Sequence, residues 1–171
     1  YGMIHSQNVL APVMLATHLN VGSMTFCNLF EGGNKTEEYL GMFPFGKVPA
    51  MKDGSLCIAE SMAIIRYLAM KYQPSFYPIA SDLQACARID YAMDAMSSEV
   101  YPLWSDVVYV RCGFKPAPAD QAAACESLNK IIGTWLSTFL ADGKFVCGEQ
   151  LTIADFRAVP FLLPLTHGAF K

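Results

Sequence analysis

The spacing of hydrophobic and polar positions divides the chain into two parts. Up to about residue 73, short apolar runs suited to strands alternate with stretches of helical periodicity, and after residue 81 only helical periodicity remains. The segment between them contains Pro74 and Pro78, which interrupt a helix. We therefore predict an α/β domain over residues 1–73 and an all-helical domain over residues 81–171.

The first part predicts the element order β-α-β-α-β-β-α. Pro12 fits only the first turn of a helix, so the first helix should begin near Asn8. Asp53-Gly54 between two apolar runs is a strong hairpin signal. The predicted elements are a strand end at residues 1–4, a helix over 8–19, a buried strand over 24–30, a short helix over 36–42, strands over 47–51 and 56–59, and then a helix.

The second part predicts three helices. The first runs from Asp82 to about Val110 and should be kinked at Pro102, and the second covers residues 119–141. The third begins near Leu151, where Thr152 is placed as the N-cap and Asp155 can accept a hydrogen bond from the Thr152 amide. This capping pair serves folding.

Composition and charge argue against several classes of partner and binding site. With 12 Lys and Arg against 15 Asp and Glu, and no basic block, the formal net charge of -3 argues against nucleic acid or anionic lipid as a partner. No apolar run reaches the ~20 residues of a membrane span. The six cysteines have neither C-x-x-C nor zinc-site spacing, which favours reduced core thiols in a cytoplasmic protein and no metal.

Residues 43–50, FPFGKVPA, place a proline inside a strand-like run. Proline cannot donate to a sheet ladder, so Pro49 marks an edge or a special turn. With a cis Val48–Pro49 bond, the Val48 backbone could pair with a peptide-like ligand by strand addition. With a trans bond, Pro49 simply begins a strand, and most prolines are trans.

Two serines precede predicted helices. Ser61 follows Glu60 where a strand gives way to a helix, and the unpaired N–H groups there could hold a ligand carboxylate. Ser6 precedes the first helix, where a hydroxyl and the helix dipole could lower the pKa of a bound thiol. Ordinary N-cap serines are the alternative at both places.

Together these motifs resemble the soluble glutathione transferase family. The FGKVPA run, the Glu-Ser-x-Ala-Ile run after a short hairpin and the LTIADF box occur in the family's order and spacing over nearly the whole chain. The resemblance implies an N-terminal thioredoxin-like domain, an all-helical C-terminal domain and a cis Val48–Pro49 bond. It also implies glutathione as the co-substrate and a homodimer.

The resemblance also implies roles for single residues. Val48 looks like the residue whose backbone pairs with the cysteinyl unit of glutathione, and Glu60 with Ser61 looks like the clamp on its γ-glutamyl end. Lys47 matches a position beside the glycine carboxylate. Asn34 takes the place of a theta-class histidine that reaches the same carboxylate.

The catalytic residue implied by the resemblance is Ser6. Ser6-Gln7 is similar to the Ser-Gln of theta-like enzymes, whose serine hydroxyl stabilises the glutathione thiolate. Asn8 and Leu10 depart from the proline and arginine that follow in those enzymes. A small, mostly apolar electrophile would bind between the domains, near Tyr101, Trp104 and Tyr109 of the long helix, although aromatic stripes are more often core.

Three alternatives compete with this interpretation. A similar module in the gamma subunit of translation elongation factor one is a non-catalytic scaffold and can carry Phe-Pro where Phe43-Pro44 stands here. A thiol-disulfide oxidoreductase would need a cysteine at the first turn, but Ser6 is there and the nearest cysteine is Cys27. A tyrosine-type enzyme could use Tyr1, which lies early for that role.

Overall fold

A computed structural model of the chain describes residues 1–141 and 143–166. They form two compact units, the first over Tyr1–Tyr77 and the second over the described residues from Pro78 onward. The first is an α/β unit and the second is helical. The elements of the first unit are α1 (Gln7–His18), α2 (Glu37–Met42), β1 (Ala50–Asp53), β2 (Leu56–Ala59) and α3 (Ser61–Tyr72), with short 3₁₀ turns at Gly33–Lys35 and Pro74–Phe76.

The predicted hairpin is present. The strands predicted over residues 1–4 and 24–30 are reduced to one isolated bridge. β1 pairs antiparallel with β2, with Ala50 opposite Ala59 and Asp53 opposite Leu56. The predicted strand over residues 24–30 is wrong as a buried strand: it makes a single parallel bridge between Gly2 and Phe26, and the Phe26 side chain is 62% exposed. A strand forms only where a partner segment pairs with it over several residues, and local sequence does not reveal a partner that is distant along the chain.

Two sets of side chains form the interior of the α/β unit. Helices α1 and α3 pack on each other. Their buried side chains include Val9, Leu15, Ile64, Ile65 and Leu68. On the α2 side, Cys27, Tyr39, Phe43 and Ala50 form a second cluster, against which Tyr1 and Val48 pack. The chain segment at Tyr1–Gly2 lies between these two sets.

The helical unit departs from the single kinked helix predicted for residues 82–110. Around Pro102 the regular hydrogen-bond ladder gives way to π-helical turns at Met96–Val100 and Ser105–Tyr109, because proline supplies no backbone donor. The α-helices of this unit are α4 (Leu83–Ala95), α5 (Tyr101–Trp104), α6 (Gln121–Phe139) and α7 (Ile153–Thr166).

The predicted capping pair at the start of α7 is confirmed. The Asp155 carboxylate accepts hydrogen bonds from the Thr152 amide and the Val146 amide, each at 2.8 Å. The Thr152 hydroxyl accepts in turn from the Ala154 amide at 3.3 Å. The bonds from Thr152 and Ala154 satisfy amides that a helix start leaves without intrahelical partners, and the bond from Val146 ties the preceding loop to the helix.

Candidate functional site

The open end of the hairpin brings two predicted site segments together. Because Ala50 faces Ala59, the residues just outside that pair are Val48-Pro49 on one strand and Glu60-Ser61 on the other. The Val48–Pro49 bond is cis, as the resemblance implies. The Val48 side chain is half-buried and Pro49 is buried. The backbone of residue 48 and the start of α3 therefore share one end of the sheet.

Glu60 holds a backbone conformation that its residue type rarely adopts. Its φ is 72° and its ψ is 118°, and it immediately precedes α3. In the described part of the chain, its exposed side chain makes no capping hydrogen bond to that helix. Strain of this kind typically costs 1–3 kcal/mol and is concentrated at ligand sites. No local feature of the sequence predicts this backbone conformation.

Ser61 is the first residue of α3 and is only 7% exposed. The first N–H groups of a helix have no intrahelical partners and carry the positive end of the dipole. A carboxylate placed here could accept hydrogen bonds from those amides and from the Ser61 hydroxyl. This corner of the hairpin is thus chemically suited to an anionic group.

Hydrogen bonds from three side chains hold the loop before Val48, and one of them is donated by the Lys35 ammonium to the Gly46 carbonyl oxygen at 3.2 Å. The Asn34 amide donates to the Gly46 carbonyl oxygen at 2.6 Å, and the Tyr39 hydroxyl donates to the Lys47 carbonyl oxygen at 2.7 Å. The Lys47 side chain is exposed. Asn34 therefore positions the loop that carries Lys47 and Val48, a role that its residue type alone did not reveal.

Tyr39 is a positioning residue that the sequence analysis missed. Its ring is 4% exposed, and burial is the largest of the effects that raise the pKa of its hydroxyl to about 12. The hydroxyl therefore stays protonated and remains a donor to Lys47. An aromatic residue in a short amphipathic helix looks like any core residue, so no sequence signal distinguishes it.

Gly46 allows the same loop to close. Its φ is +56°, and an added Cβ would lie 2.9 Å from the Leu40 side chain and 3.0 Å from the Asn34 carbonyl oxygen. Any other residue would suffer both backbone strain and a clash. Glycine at this position is thus a requirement of the loop that presents Val48.

Ser6 leaves the sheet toward the same end of the hairpin. Tyr1 and Ala50 exchange backbone hydrogen bonds of 2.7 and 3.1 Å in antiparallel fashion, so the chain from Tyr1 runs toward the Val48 end of β1. Ser6 is the N-cap residue of α1 and is half-buried. Within residues 1–141 and 143–166, its hydroxyl makes no capping bond to α1. It can therefore donate to a ligand.

Gln7 adds a second polar group at this helix start. It is 8% exposed, and its Oε1 atom has no hydrogen-bond partner among the described residues. A buried acceptor without a partner is costly, and each instance calls for an explanation such as a ligand or a water. The sequence analysis did not include Gln7 among the site residues.

The three aromatic residues predicted for the second substrate meet one another in the helical unit. The ring centroids of Tyr101 and Tyr109 are 6.3 Å apart, and those of Trp104 and Tyr109 are 5.3 Å apart. Trp104 is completely buried, and its indole donates to the Phe161 carbonyl oxygen at 2.9 Å. Trp104 therefore belongs to the core of the unit, whereas Tyr101 and Tyr109 are half-buried.

Arg157 lies beside the two tyrosines and was also missed. It is 3% exposed, donates to the Ser97 hydroxyl at 3.0 Å, and lies 4.6 Å from the centroid of the Phe161 ring. Burial lowers the pKa of its guanidinium to about 10, and burial raises the pKa of the Tyr109 hydroxyl. An arginine inside an apolar helical run is the signal that could have identified it.

The chain is similar to several known proteins. The profile of the glutathione S-transferase N-terminal domain matches residues 1–70. Human glutathione S-transferase theta-2 is 33% identical over 80% of this chain and 58% of its own length. Glutathione S-transferase 3 of Zea mays is 32% identical over 91% of this chain and 72% of its own length. The chain belongs to the glutathione S-transferase family.

A solved structure of a glutathione transferase homolog from Drosophila mojavensis, with bound glutathione, also resembles the chain. The two are 30% identical, with a TM-score of 0.79 over 96% of this chain and 75% of the other. Family membership confirms the predicted fold class, a thioredoxin-like N-terminal domain followed by a helical region. The chain spans less than three-fifths of the length of the human theta-2 enzyme.

Two other features are absent from the part of the chain that the structure describes. The described residues contain no group of three or more side chains arranged to bind a metal ion. Among the same residues, no helix combines the length and apolarity needed to cross a membrane.

Proposed function

We propose that this protein is a glutathione transferase that activates the glutathione thiol for attack on a small, mostly apolar electrophile. One observation carries the proposal. Helices α1 and α3 both begin beside the Val48 end of the hairpin, and in the described part of the chain neither Ser6 nor Glu60 caps its own helix with its side chain. Two positive helix ends are thus left for a ligand.

Each polar group of glutathione would have a partner at the Val48 end of the hairpin. The exposed Glu60 carboxylate would pair with the γ-glutamyl ammonium, and the α3 amides with the Ser61 hydroxyl would hold the neighbouring carboxylate. The Val48 backbone would pair with the cysteinyl unit. Lys47 would attract the glycine carboxylate, and Asn34 would hold the loop that presents it.

Ser6 would act on the sulfur. Its hydroxyl donates a hydrogen bond to the thiolate, and the positive end of α1 favours the same charge, so the pKa of the thiol falls. The thiol proton is released to solvent. The thiolate then forms a bond to carbon as the leaving group departs with the electron pair of the broken bond.

The other activating residues considered are less well placed. The Tyr1 ring packs against Tyr39 and Phe43, with centroids 6.0 and 5.7 Å away, in the interior of the α/β unit. Cys27 is 5% exposed, and burial raises the pKa of its thiol. A reactive cysteine needs a lowered pKa and an accessible sulfur, so these observations favour Ser6.

For the electrophile we propose Tyr101 and Tyr109 as contact residues. Both are half-buried aromatic side chains, and the raised pKa of Tyr109 keeps its hydroxyl protonated as a hydrogen-bond donor. We leave Trp104 out of this pocket because its side chain is completely buried and its indole is paired.

We further propose a homodimer. The α/β unit exposes large aromatic side chains, including Phe45 at 80% and Phe26 at 62%. Exposed apolar side chains mark an interaction surface when they form a contiguous patch, and the proposal requires Phe45 to lie in such a patch. The Phe45→Ser variant should sediment as a monomer at concentrations where the parent chain is a dimer. Cytoplasmic location remains a prediction.

The test of the function is calorimetric titration with glutathione, followed by conjugation of a chlorodinitrobenzene-type electrophile on the same sample. We expect binding and turnover, and at least a tenfold weaker affinity in Ser61→Ala because a buried hydroxyl donor is lost. The matched control is Ser55→Ala, in the exposed hairpin turn, which should bind normally.

The outcomes separate the candidate functions. Binding without turnover would leave the glutathione site intact and reject the proposed electrophile class. No binding at millimolar glutathione would reject the transferase and favour a non-catalytic scaffold. The glutathione S-transferase names of the relatives support the enzyme over the scaffold.

A further inference from the structure

Arg157 is a buried cation that the mechanism proposed above does not use. It lies on α7, its side chain is only 3% exposed, and its guanidinium carbon is 4.6 Å from the centroid of the Phe161 ring. Burial lowers the pKa of the guanidinium to about 10, which still leaves the group charged at neutral pH. Taking a charge out of water is costly, so its place in the interior of the helical unit calls for an explanation.

Hydrogen bonds hold this guanidinium in one orientation. The Nη2 atom of Arg157 donates to the Ser97 hydroxyl oxygen at 3.0 Å, and the same hydroxyl donates to the Met93 carbonyl oxygen at 3.0 Å. Phe161, whose ring packs against the guanidinium, accepts a hydrogen bond at its carbonyl oxygen from the Trp104 indole at 2.9 Å. The positive charge therefore has a fixed position.

Tyr101 and Tyr109 lie beside this charge. The ring centroids of Tyr101 and Phe161 are 5.8 Å apart, and those of Tyr101 and Tyr109 are 6.3 Å apart. Burial raises the pKa of the Tyr109 hydroxyl, and the charge of Arg157 acts against that rise. The two tyrosines act in turn on the guanidinium and raise its pKa, against the larger effect of burial. The guanidinium and the two phenol groups are thus electrostatic neighbours.

The exposure of these side chains indicates where a ligand could reach the cluster. Both tyrosines are half-buried, whereas Arg157 is buried. Their hydroxyl groups can donate hydrogen bonds to a ligand, and a nearby cation favours a ligand group that is negatively charged. The cation acts strongly because the effective dielectric constant inside a protein is lower than that of water. The cluster is therefore suited to an oxygen anion bound at the two hydroxyls.

The backbone around the cluster supports a functional role independently of charge. Ser97 lies in the π-helical turn Met96–Val100, Tyr109 ends the turn Ser105–Tyr109, and Tyr101 begins α5 between them. Turns of this kind inside helices occur frequently at functional sites. The three hydroxyl groups beside the guanidinium therefore all come from one irregular stretch of the helical unit.

We propose that the second substrate is an apolar electrophile that carries one carboxylate, held by the hydroxyls of Tyr101 and Tyr109 and stabilised by the charge of Arg157. This inference rests on the proposed function and names its class of substrate. In the reaction the glutathione thiolate forms a bond to carbon, the leaving group departs with the electron pair of the broken bond, and the carboxylate is unchanged. Arg157 acts through the two tyrosines and is a positioning residue.

The test compares a chlorodinitrobenzoate with its methyl ester as electrophiles for the 171-residue chain and glutathione. The two compounds share the reacting carbon and the chloride, and they differ in the charge of the carboxyl group. We expect kcat/KM, divided by the uncatalysed rate, to be roughly tenfold higher for the acid. Arg157→Met should remove this preference, mainly by raising the KM of the acid. Arg157→Lys keeps the positive charge and should retain the preference.

Two further variants keep the test decisive. Arg88→Met is the matched control, because Arg88 is an exposed arginine of the same unit that donates to the Thr138 carbonyl oxygen at 3.1 Å, and the preference for the acid should stay unchanged. Tyr109→Phe keeps the ring and removes the hydroxyl. It should lower the preference roughly fivefold, and it gives this result even if Arg157→Met does not fold.

An unchanged preference in Arg157→Met or in Tyr109→Phe would overturn the inference. Equal losses with the acid and the ester would also overturn it, because a structural role affects both substrates alike. Turnover of the ester by the parent chain without a preference for the acid would overturn the inference and leave the proposed function intact. No turnover of either compound would reject the proposed function and the inference together.

Discussion

The starts of α1 and α3 in the α/β unit are built differently from the start of α7 in the helical unit. At α7, the Asp155 carboxylate and the Thr152 hydroxyl receive hydrogen bonds from the amides around them. At α1 and α3, the residues in the capping position are Ser6 and Glu60, and in the described part of the chain neither side chain caps its helix. Glu60 also has a strained backbone.

This difference indicates where the molecule satisfies its own polar groups and where it leaves them available. A helix start capped by its own side chains contributes stability and has little left to offer a ligand. An uncapped start keeps amides and dipole for an anion, at some loss of stability. The comparison therefore favours a folding role for the start of α7 and supports the proposed binding role for the starts of α1 and α3, and substitutions should separate the two.

The largest effect is expected at Asp155. Asp155→Ala removes a carboxylate that accepts two backbone hydrogen bonds, and hydrogen bonds to charged groups contribute about 1.5–3 kcal/mol each. We expect the free energy of unfolding to fall by about 4 kcal/mol and the melting temperature by about 10 °C, measured by chemical and thermal denaturation.

The matched control for Asp155 is Asp120→Ala. Asp120 caps α6 through one hydrogen bond to the Ala123 amide at 2.9 Å, at an exposed site. Its loss should cost only about 1 kcal/mol. Equal losses at the two positions would show that Asp155 is an ordinary cap, and the contrast between the helix starts would weaken.

The second effect concerns turnover. Ser6→Ala should lower kcat for conjugation roughly 100-fold, about 2.7 kcal/mol, because the thiolate loses its hydrogen-bond donor. The pKa of the bound thiol should rise, so the acidic limb of the pH–rate profile should move to higher pH. Glutathione affinity and the melting temperature should change little.

Asp120→Ala serves again as a control for Ser6, since a cap of the helical unit should leave kcat unchanged below its melting temperature. An unchanged pH–rate profile in Ser6→Ala would exclude Ser6 as the activating residue. A loss of stability instead of turnover would make Ser6 a structural residue like Thr152.

Local signals explain which parts could be predicted from the sequence. The hairpin follows from Asp53-Gly54 and the α7 start from Thr152 with Asp155, because each depends on residues a few positions apart. The strand over residues 24–30 failed because a strand needs partners that are distant in sequence.

Some features of the candidate site could likewise be predicted from the sequence, and others could not. The family motif identified Val48, Glu60 and Ser61 as candidates. The left-handed backbone of Glu60 and the hydrogen bond from Asn34 to Gly46 depend on the folded chain and have no local signature. Tyr101, Trp104 and Tyr109 were predicted together as aromatic residues of one long helix, but the sequence could not show which of them is completely buried.

The third prediction distinguishes the contribution of backbone strain at Glu60 from that of its charge. Glu60→Gln keeps the strained backbone and removes the charge, whereas Glu60→Gly removes both. We expect both variants to bind glutathione at least tenfold more weakly, by calorimetry. The glycine variant should be about 1.5 kcal/mol more stable than the glutamine variant in denaturant unfolding. Equal stabilities would mean that the conformation of Glu60 carries no strain to relieve.

The smallest effect compares two glutamines that each begin a helix. Gln7 begins α1 and Gln121 begins α6, and among the described residues each has one buried side-chain atom without a hydrogen-bond partner. Methionine has a similar size and removes the polar atoms, so Gln7→Met and Gln121→Met should each stabilise the chain by about 1 kcal/mol.

Only Gln7→Met should also weaken glutathione binding, because only α1 starts beside the proposed thiol site. Calorimetry on the two variants therefore separates a polar group kept for a ligand from one that is merely unsatisfied. If both variants gain stability and both bind glutathione normally, the unpaired oxygen of Gln7 has no part in binding. The open start of α1 would then offer the ligand only Ser6, the backbone amides and the helix dipole.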